Sequence, residues 1–296
     1  MMPDYHIGSL DKESLAQLAA DAERPPETSG NEDRAVFLQA RAWSQGILSA
    51  KEKVSPDSKI FTFTLNHEEQ AIGLPIGQHL MMRIRDQKTG DAIIRAYTPI
   101  SDPKEKGELR VLVKIYYDTP GSSGGRMTQT LDGLPLGHAI DFKGPVGKFE
   151  YLGKGRCSIN GRERLVSRFV MVCAGSGITP IFQVLRAVLA DKEDPTTCLV
   201  LDGNRVEEDI LCKAELDAMA GESPGRCKVL YTLSRPLESW RGLRGRMDQS
   251  LFEREVGGPP EERDAMVLVC GPESMEKAVR GIFKAMGWAE EDLLFF

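Results

Sequence analysis

The sequence predicts two consecutive domains, a β domain followed by an α/β domain. Apolar residues alternate with threonines around Phe61 and Phe63, and apolar residues alternate again along residues 109–117, which is the pattern of strands with one buried face. Beyond residue 168, continuous apolar runs alternate with segments that have helical periodicity. A length of 296 residues is enough for two domains with separate cores.

The β domain is expected to occupy residues 46–155. Turn sequences such as residues 88–91 (KTGD) and 119–121 (TPG) separate its strands. Several short strands joined in this way favour a barrel or a sandwich. The basic residues 156–167 follow and are interpreted as a solvent-facing connector, with docking of an acidic partner as the alternative.

The α/β domain is expected to occupy residues 168–296. Alternation of strands and helices at this spacing predicts a parallel sheet with helices on both faces. The strand-like runs are 169–174, 198–201, 229–233 and 266–270, and the helix-like segments are 181–188, 207–219 and 275–286.

Residues 1–45 differ in composition from the rest of the chain. A short helix is predicted at 11–22, and the polar run 24–33, which contains proline and glycine, is typical of a linker. A linker this close to the start suggests that a further domain precedes it in the intact protein.

Composition narrows the classes of partner and compartment. The net charge of −6 does not favour a nucleic-acid partner, and no segment approaches the roughly 20 apolar residues that cross a membrane. No secretory signal is visible. The six cysteines form no Cys-x-x-Cys pair, which suits reduced thiols in a cytoplasmic protein, and none is spaced with one of the four histidines as metal ligands.

Two turns of the α/β domain are candidates for binding a dinucleotide. Residues 175–180 (GSGITP) lie between a buried strand and its helix, where glycines let a phosphate approach the free N–H groups of the helix. They do not match the Gly-x-Gly-x-x-Gly fingerprint, so a tight turn without a ligand is an equal alternative. Residues 270–272 (CGP) end the last long strand, where open α/β sheets bind ligands, although a structural cysteine is the commoner case.

Three further motifs suit a cofactor, although each taken alone also has a structural interpretation. Residues 95–101 (RAYTPIS) offer an arginine that can clamp a pyrophosphate. Residues 124–129 (GGRMTQ) place glycines at a predicted helix start, which creates a second anion site or simply caps the helix. Ser234 and Arg235 suit the 2′-phosphate of NADPH, with an exposed loop as the alternative.

In this order, the motifs resemble the ferredoxin–NADP reductase superfamily and its cytochrome b5 reductase-like branch. The resemblance covers residues 46–296. It implies an antiparallel Greek-key β-barrel that binds FAD, followed by a parallel-sheet, Rossmann-like domain that binds the nicotinamide coenzyme. It rests on residues 95–101, 113–116 (VKIY), 125–128 (GRMT), 144–147 (GPVG), 175–180 and 270–272.

The resemblance also implies roles for single residues. Arg95 would bind the FAD pyrophosphate, Thr98 would lie near the reactive flavin nitrogen, and Thr179 would reach the flavin. Cys270 would act as the catalytic residue beside the hydride-donating carbon of the coenzyme. The other expected cofactor-binding residues are Ala96, Tyr97, Ser101, Leu112, Val113, Lys114, Ile115, Tyr116, Tyr117, Gly125, Arg126, Met127, Thr128, Gly175, Gly177, Pro180, Ser234, Arg235, Gly271 and Pro272.

Residues 54–61 (VSPDSKIF) and 73–79 (GLPIGQH) resemble more closely the flavin region of eukaryotic assimilatory nitrate reductases, above all the fungal form. In that family a molybdenum domain and a haem domain precede the flavin region, and residues 4–10 (DYHIGSL) resemble the end of the haem domain. The resemblance implies transfer of hydride from NADPH, or NADH, to FAD and of single electrons to the haem domain. Since the His-Pro-Gly-Gly haem motif is absent, the chain alone is not expected to reduce nitrate. A homodimer is one expected state of the longer enzyme.

Two alternatives remain open. A freestanding cytochrome b5 reductase is the first, and residues 1–45, which contain no membrane anchor, count against it. A non-catalytic dinucleotide-sensing module is the second. It would require decayed FAD motifs, whereas residues 95–101 and 125–128 match the family pattern.

Overall fold

The computed structural model describes residues 36–86, 89–262 and 264–296. The predicted helix at 11–22, the linker at 24–33 and the haem-like residues 4–10 lie outside the described residues. The described chain separates into two compact units, residues 36–147 and residues 148–296. None of the helices in these described ranges is long and apolar enough to cross a membrane.

The first unit is built on an antiparallel sheet. Its strands are β1 (Ser44–Ser55), β2 (Ser58–Thr64), β3 (His79–Arg85), β4 (Ala92–Tyr97), β5 (Glu108–Lys114) and β6 (Ala139–Val146), and α1 (Arg126–Gly133) lies between β5 and β6 in sequence. The strand order is β4-β3-β6-β1-β2-β5. Beyond β4 the chain turns towards β5, where the Ile100 N–H donates to the Arg110 carbonyl at 2.9 Å. This contact joins the segment after β4 to β5, the strand at the other end of the sheet order. The antiparallel sheet of this domain is as predicted.

Aromatic rings fill the core of the first unit. Phe61 and Phe63 are fully buried, and Phe63 packs edge-on against Phe142 with centroids 5.0 Å apart. Phe37 and Leu38 also belong to this core, although the sequence predicts residues 1–45 as an extension and linker. Two adjacent apolar residues have no detectable period, and their burial depends on pairing with a distant segment, since the Phe37 N–H donates to the Ala71 carbonyl at 2.8 Å.

The second unit opens with a small antiparallel sheet of β7 (Phe149–Gly153), β8 (Arg156–Ile159) and β9 (Arg162–Leu165). Residues 156–167, interpreted from their charge as a connector, thus contain a hairpin. Its turn residues, Asn160 and Gly161, have φ values of 51° and 78°. An Asn-Gly pair with two positive φ values is the favoured two-residue hairpin turn, so the sequence contains a hairpin signal that charge alone obscures.

The second unit continues into a fully parallel sheet, as predicted. Its strands are β10 (Arg168–Ala174), β11 (Thr197–Asn204), β12 (Cys227–Leu233), β13 (Leu243–Arg244), β14 (Ala265–Cys270) and β15 (Leu293–Phe295). The helices are α2 (Ile178–Ala190), α3 (Lys213–Glu222), α4 (Gln249–Glu255) and α5 (Glu273–Ala285). The strand order is β13-β12-β11-β10-β14-β15. Strands β10 to β13 extend the sheet to one side and β14 and β15 to the other, so the order reverses between β10 and β14.

One predicted helix is wrong in its extent. Residues 207–219 are predicted as a single helix, but Glu207–Asp209 form a 3₁₀ turn and α3 begins only at Lys213. The interruption is at Cys212, which has a left-handed backbone with φ 54°. A continuous α-helix cannot pass through that conformation.

Candidate functional site

The turn before α1 brings two glycines against the backbone that follows β5. A Cβ atom at Gly124 would overlap the Tyr116 carbonyl, and the Gly125 N–H donates to that carbonyl at 2.8 Å. Gly125 is the N-cap of α1 and provides no side chain to cap the helix, so the first N–H groups of α1 have no helical partner. We call the backbone of residues 124–128 the glycine cradle. Its free donors and close approach suit a phosphate group.

Two side chains hold the glycine cradle in place. The Thr128 hydroxyl accepts the Tyr116 N–H at 3.2 Å and donates to the Gly125 carbonyl at 3.1 Å. Asp118 accepts the Gly124 N–H at 2.7 Å. Thr128 therefore contributes its side chain to the support of the cradle, and only its backbone is left for a ligand.

The two expected arginines of the first unit have different surroundings. Arg95 in β4 is exposed, donates to the carbonyl of its neighbour Ile94 at 2.8 Å, and forms no ion pair with the described residues. The Arg126 side chain contacts Asp86 and also bonds to Asp91 at 2.8 Å. Helix α1 packs against β3 and β4. Arg95 in β4 therefore lies on an element that contacts the helix of the glycine cradle, and its guanidinium group can take an anion there.

The other expected FAD residues fall into two groups. Val113, Ile115 and Met127 point into the apolar core, so only their backbone is open to a ligand. Lys114 pairs with Asp57 at 2.9 Å. The second group contains the residues that are not buried members of this core: Ala96, Tyr97, Thr98, Ser101, Leu112, Tyr116 and Tyr117.

Within that second group, Thr98 and Ser101 are buried, and the Ser101 hydroxyl accepts the Arg110 N–H at 2.6 Å. Burial raises the pKa of the Tyr97 hydroxyl. Tyr117 is largely exposed and donates to Asp132 at 3.2 Å. Ser101 therefore joins the segment after β4 to β5, whereas Tyr117 lies at the surface.

His79 is a buried group of the first unit that no sequence motif marks. Its Nε2 atom is enclosed without a hydrogen-bond partner among the described residues. Burial lowers the pKa of His79 to about 4, so its imidazole is neutral at physiological pH. The sequence offers no local signal for this burial, although His79 ends the segment 73–79 that carries part of the family resemblance.

Two expected turns of the second unit meet where the strand order reverses. The 3₁₀ turn Gly175–Gly177 follows β10, and Gly271 and Pro272 follow Cys270, the last residue of β14. The strands pair directly, with Cys173 opposite Cys270. A Cβ atom at Gly177 would overlap the Cys270 carbonyl, so the two turns are in contact. Open α/β sheets bind ligands at this reversal of strand order.

The side chains at these turns are largely enclosed. Thr179 and Pro180 are buried in the first turn of α2, and the Thr179 hydroxyl donates to the Ser176 carbonyl at 3.2 Å. Cys270 is fully buried, and burial raises the pKa of its thiol, which is therefore protonated at neutral pH.

Glu276 is a second residue that the motif search missed. Its carboxylate accepts the Gly271 N–H at 3.1 Å, so a side chain of α5 holds the turn after β14. Burial raises the pKa of Glu276 to about 7.

The third expected region follows β12. Ser234 and Arg235 are exposed, and their N–H groups donate to the carbonyls of Asn204 and Arg205 at 3.0 and 2.8 Å. We call residues 234–246 the coenzyme loop. The last part of this loop returns to the end of β12, because Leu233 pairs with Arg244 and the Gly245 N–H donates to the Leu233 carbonyl at 2.8 Å.

Because the loop returns to the end of β12, one further arginine joins the expected residues Ser234 and Arg235. Arg246 is exposed and forms no hydrogen bond or ion pair with the described residues, and it follows the segment that pairs beside Ser234. Arg244 has a different role, because its guanidinium donates to the carbonyls of Leu237, Glu238 and Trp240 at 3.1, 3.2 and 2.8 Å. The return of the loop is a tertiary feature, so no local motif marks Arg246.

Each unit thus has its own hydrogen-bond donors that suit the phosphate groups of one nucleotide cofactor. The first unit combines the glycine cradle with the exposed guanidinium group of Arg95, which forms no ion pair with the described residues, and this combination suits a pyrophosphate. The second combines two contacting turns at the reversal of strand order with an exposed basic loop. Within the described ranges, no group of three or more histidine, cysteine or acidic side chains is arranged to hold a metal ion.

Two family models match the chain. The model for an oxidoreductase FAD-binding domain matches residues 45–151, and the model for an oxidoreductase NAD-binding domain matches residues 171–281. They fall on the β domain and on the parallel-sheet domain respectively, in the predicted order.

Curated relatives match along the whole chain. A nitrate reductase [NADPH] from Beauveria bassiana is 57% identical over 100% of this chain, which corresponds to 33% of that protein. A nitrate reductase [NAD(P)H] from Hordeum vulgare is 39% identical over 83% of this chain, corresponding to 28% of that protein. The chain therefore spans about a third of the length of the first relatives it matches.

A solved structure matches a complete domain. The cytochrome b5 reductase domain of nitrate reductase from Ulva prolifera is 34% identical, superposes with a TM-score of 0.83, and is covered over 100% of its length by 88% of this chain. The two family models, the antiparallel and parallel sheets and this structural match all indicate the same pair of domains. The chain belongs to the family of nitrate reductase cytochrome b5 reductase domains.

Proposed function

We propose that this chain is the reductase part of a nitrate reductase, in which hydride moves from NADPH to FAD and single electrons then pass to a haem domain of the longer enzyme. When bound, FAD supplies the chemistry that converts a hydride donor into a source of single electrons. The names of the relatives support NADPH as the donor. Nitrate reduction itself would belong to parts of the enzyme outside this chain.

The observation that carries the proposal is the contact between the turns after β10 and β14. Two glycine-bearing turns meet at the carboxyl ends of neighbouring parallel strands, where the strand order reverses. Such a place binds nucleotides in open α/β sheets. The Gly177 backbone lies against the Cys270 carbonyl, so both turns would contact the same ligand.

The residues of the chain bind and orient the cofactors. Arg95 and the glycine cradle would hold the FAD phosphates, and the buried Thr98 would lie near the flavin ring. Cys270 would contact the nicotinamide as a neutral thiol, because its raised pKa prevents a negative charge there. No general acid or base is needed for hydride transfer, so positioning and exclusion of water are the main tasks of the protein.

The coenzyme loop would select NADPH. Ser234, Arg235 and Arg246 are exposed side chains with one hydroxyl and two guanidinium groups, which are suitable partners for the 2′-phosphate. Arg244 would keep the loop in shape through its three carbonyl contacts.

The first test is whether the purified chain carries FAD and uses NADPH. We expect yellow protein that NADPH bleaches without oxygen and that then reduces ferricyanide, but not nitrate. Colourless protein that does not bind added FAD would contradict the proposal.

The second test concerns the choice of coenzyme. Arg235→Ala should raise the KM for NADPH by about 10- to 100-fold, because a charge-assisted hydrogen bond is lost, and should change the KM for NADH far less. Arg254→Ala is the matched control, since it removes an exposed arginine that pairs with Glu255 in α4. Equal effects of Arg235→Ala on both coenzymes would reject the 2′-phosphate role.

Location and assembly belong to the same proposal. A cytoplasmic enzyme agrees with cysteines that are all free among the described residues. The homodimer of the longer enzyme stays a prediction, and sedimentation of the full-length protein would test it.

A further inference from the structure

Asp202 is a buried carboxyl group in β11, just below the end of the strand. Only 1% of its surface is exposed, and it forms no ion pair with the described residues. Acidic side chains are seldom enclosed without such a partner. Its two oxygens accept from Cys173 Sγ at 3.5 Å and from Asn204 Nδ2 at 2.9 Å.

Stability alone does not account for this carboxyl group. Burial raises the pKa of Asp202 to about 7, which means that the ionised form is costly in this position. Cys173 and Asn204 contact it directly, and Tyr231 and Cys212 are the other titratable groups that face it. An apolar side chain would avoid the cost of burying a carboxyl group. Of the two bonds that Asp202 accepts, the shorter is the one from Asn204, and it requires a carboxyl or amide oxygen at this position.

Asn204 connects this bond to the coenzyme loop. It is the last residue of β11, and its carbonyl accepts the Ser234 N–H at 3.0 Å. The next carbonyl, of Arg205, accepts the Arg235 N–H at 2.8 Å. The end of β11 thus holds the backbone of both residues expected to contact the 2′-phosphate.

We propose that Asp202 and Asn204 are a positioning pair for the 2′-phosphate of the coenzyme. Asp202 fixes the Asn204 side chain, Asn204 fixes the end of β11, and the carbonyls of that end fix Ser234 and Arg235. Neither residue of the pair contacts the coenzyme in this scheme. The inference rests on the proposed function, because it requires that the coenzyme loop recognises the 2′-phosphate.

The test compares NADP⁺ and NAD⁺ binding to the FAD-loaded chain by isothermal titration calorimetry. The two probes differ only in the 2′-phosphate, and neither donates hydride. Asp202→Leu and Asn204→Ala should each raise the Kd of NADP⁺ by about fivefold, the loss of roughly one hydrogen bond, with little change for NAD⁺. Asp202→Asn should retain wild-type affinity, because its amide oxygen can take the place of the carboxyl oxygen that accepts from Asn204 Nδ2.

A double variant separates positioning from general loosening. If the two residues act through one bond, Asp202→Leu with Asn204→Ala should bind NADP⁺ no more weakly than either single variant. Asp217→Ala is the control, since it removes a carboxyl group that accepts the Tyr231 hydroxyl at 2.8 Å and has no bond to the end of β11. Additive effects, equal weakening of both probes, or unchanged NADP⁺ affinity in folded variants would overturn the proposal.

Folding and the parent proposal are checked separately. If Asp202→Leu does not fold, the Kd of NADP⁺ for Asn204→Ala decides the test. Asn204 is only half-buried, so this variant is expected to fold. If the wild-type chain binds NADP⁺ no better than NAD⁺ and Arg235→Ala changes neither, the proposed 2′-phosphate site itself has failed. If Arg235→Ala acts as expected while Asn204→Ala does not, the positioning pair alone is rejected.

Discussion

Arg95 and Arg126 differ in their acidic partners among the described residues. Arg126 is held by Asp86 and Asp91, whereas Arg95 donates to the carbonyl of Ile94 and forms no ion pair in the described ranges. Sequence motifs contain both arginines and cannot separate them, because the acidic partners come from the distant β3–β4 connection. These contacts favour anion binding by the side chain of Arg95, which stays a proposal, and support of the cradle by Arg126.

Arg95→Ala should release FAD without unfolding the chain. Loss of a charge-assisted contact predicts an increase of about 10- to 100-fold in the Kd of FAD, measured by flavin fluorescence. Arg126→Ala is the informative comparison, since it removes the guanidinium group that pairs with Asp86 and Asp91 and should lower the melting temperature as well. An Arg95→Ala protein that keeps stoichiometric FAD through dialysis would contradict this assignment.

His79 links stability to pH. Its folded-state pKa of about 4 lies below the ordinary value of 6.5, so the unfolded chain binds the extra proton between these values. The stabilisation is complete above pH 6.5 and declines as the pH falls towards 4. At pH 5 the loss amounts to about 2 kcal/mol of the free energy of unfolding.

Urea unfolding at pH 7.5 and pH 5.0 would measure this effect. Between the two conditions the wild type should lose about 2 kcal/mol more than His79→Gln, because the variant has no imidazole to protonate. His138→Gln is the matched control, since His138 is exposed. If both variants lose stability in parallel with the wild type, burial of His79 does not control this response.

At the scale of elements, the glycine cradle depends on the contact between the segment after β5 and helix α1. Strand β5 alternates as the sequence predicts, and the alternation explains why Val113 and Ile115 enter the core instead of lining a ligand. The family resemblance implies cofactor binding for the whole range 112–117. Only the period of two along a strand tells which of these side chains face the core. Support by Thr128 could not be predicted, because its partner Tyr116 is distant in sequence.

Thr128→Val should weaken FAD binding and reduce stability together. The variant keeps the shape of the side chain but leaves the Tyr116 N–H without its acceptor, a loss of about 1–3 kcal/mol. Thr128→Ser should retain both properties, and Thr130→Val on the same helix is the control. Thermal melting with and without added FAD would separate the two effects. An unchanged affinity for FAD in Thr128→Val would show that the cradle keeps its form without the hydroxyl.

At the scale of the whole molecule, the order of the two domains was predictable and the strand order was not. Period-two and continuous apolar runs identify the strand types, and strand–helix alternation implies a parallel sheet. The position of β14 beside β10 depends on pairing between segments about a hundred residues apart, for which a local pattern has no signal. The same limit applies to Phe37 and Leu38, and to the return of the coenzyme loop that brings in Arg246.

The contact between Gly177 and the Cys270 carbonyl restricts how this protein can vary. A methyl group at residue 177 has no free space, so accommodating it would displace the end of β14, and with it Gly271, whose N–H donates to the Glu276 carboxylate. A change introduced in one turn is thereby transmitted to the other. Variation that adjusts one half of the proposed coenzyme site while preserving the second half must therefore come from outer positions such as Ser234, Arg235 and Arg246, whose side chains are exposed.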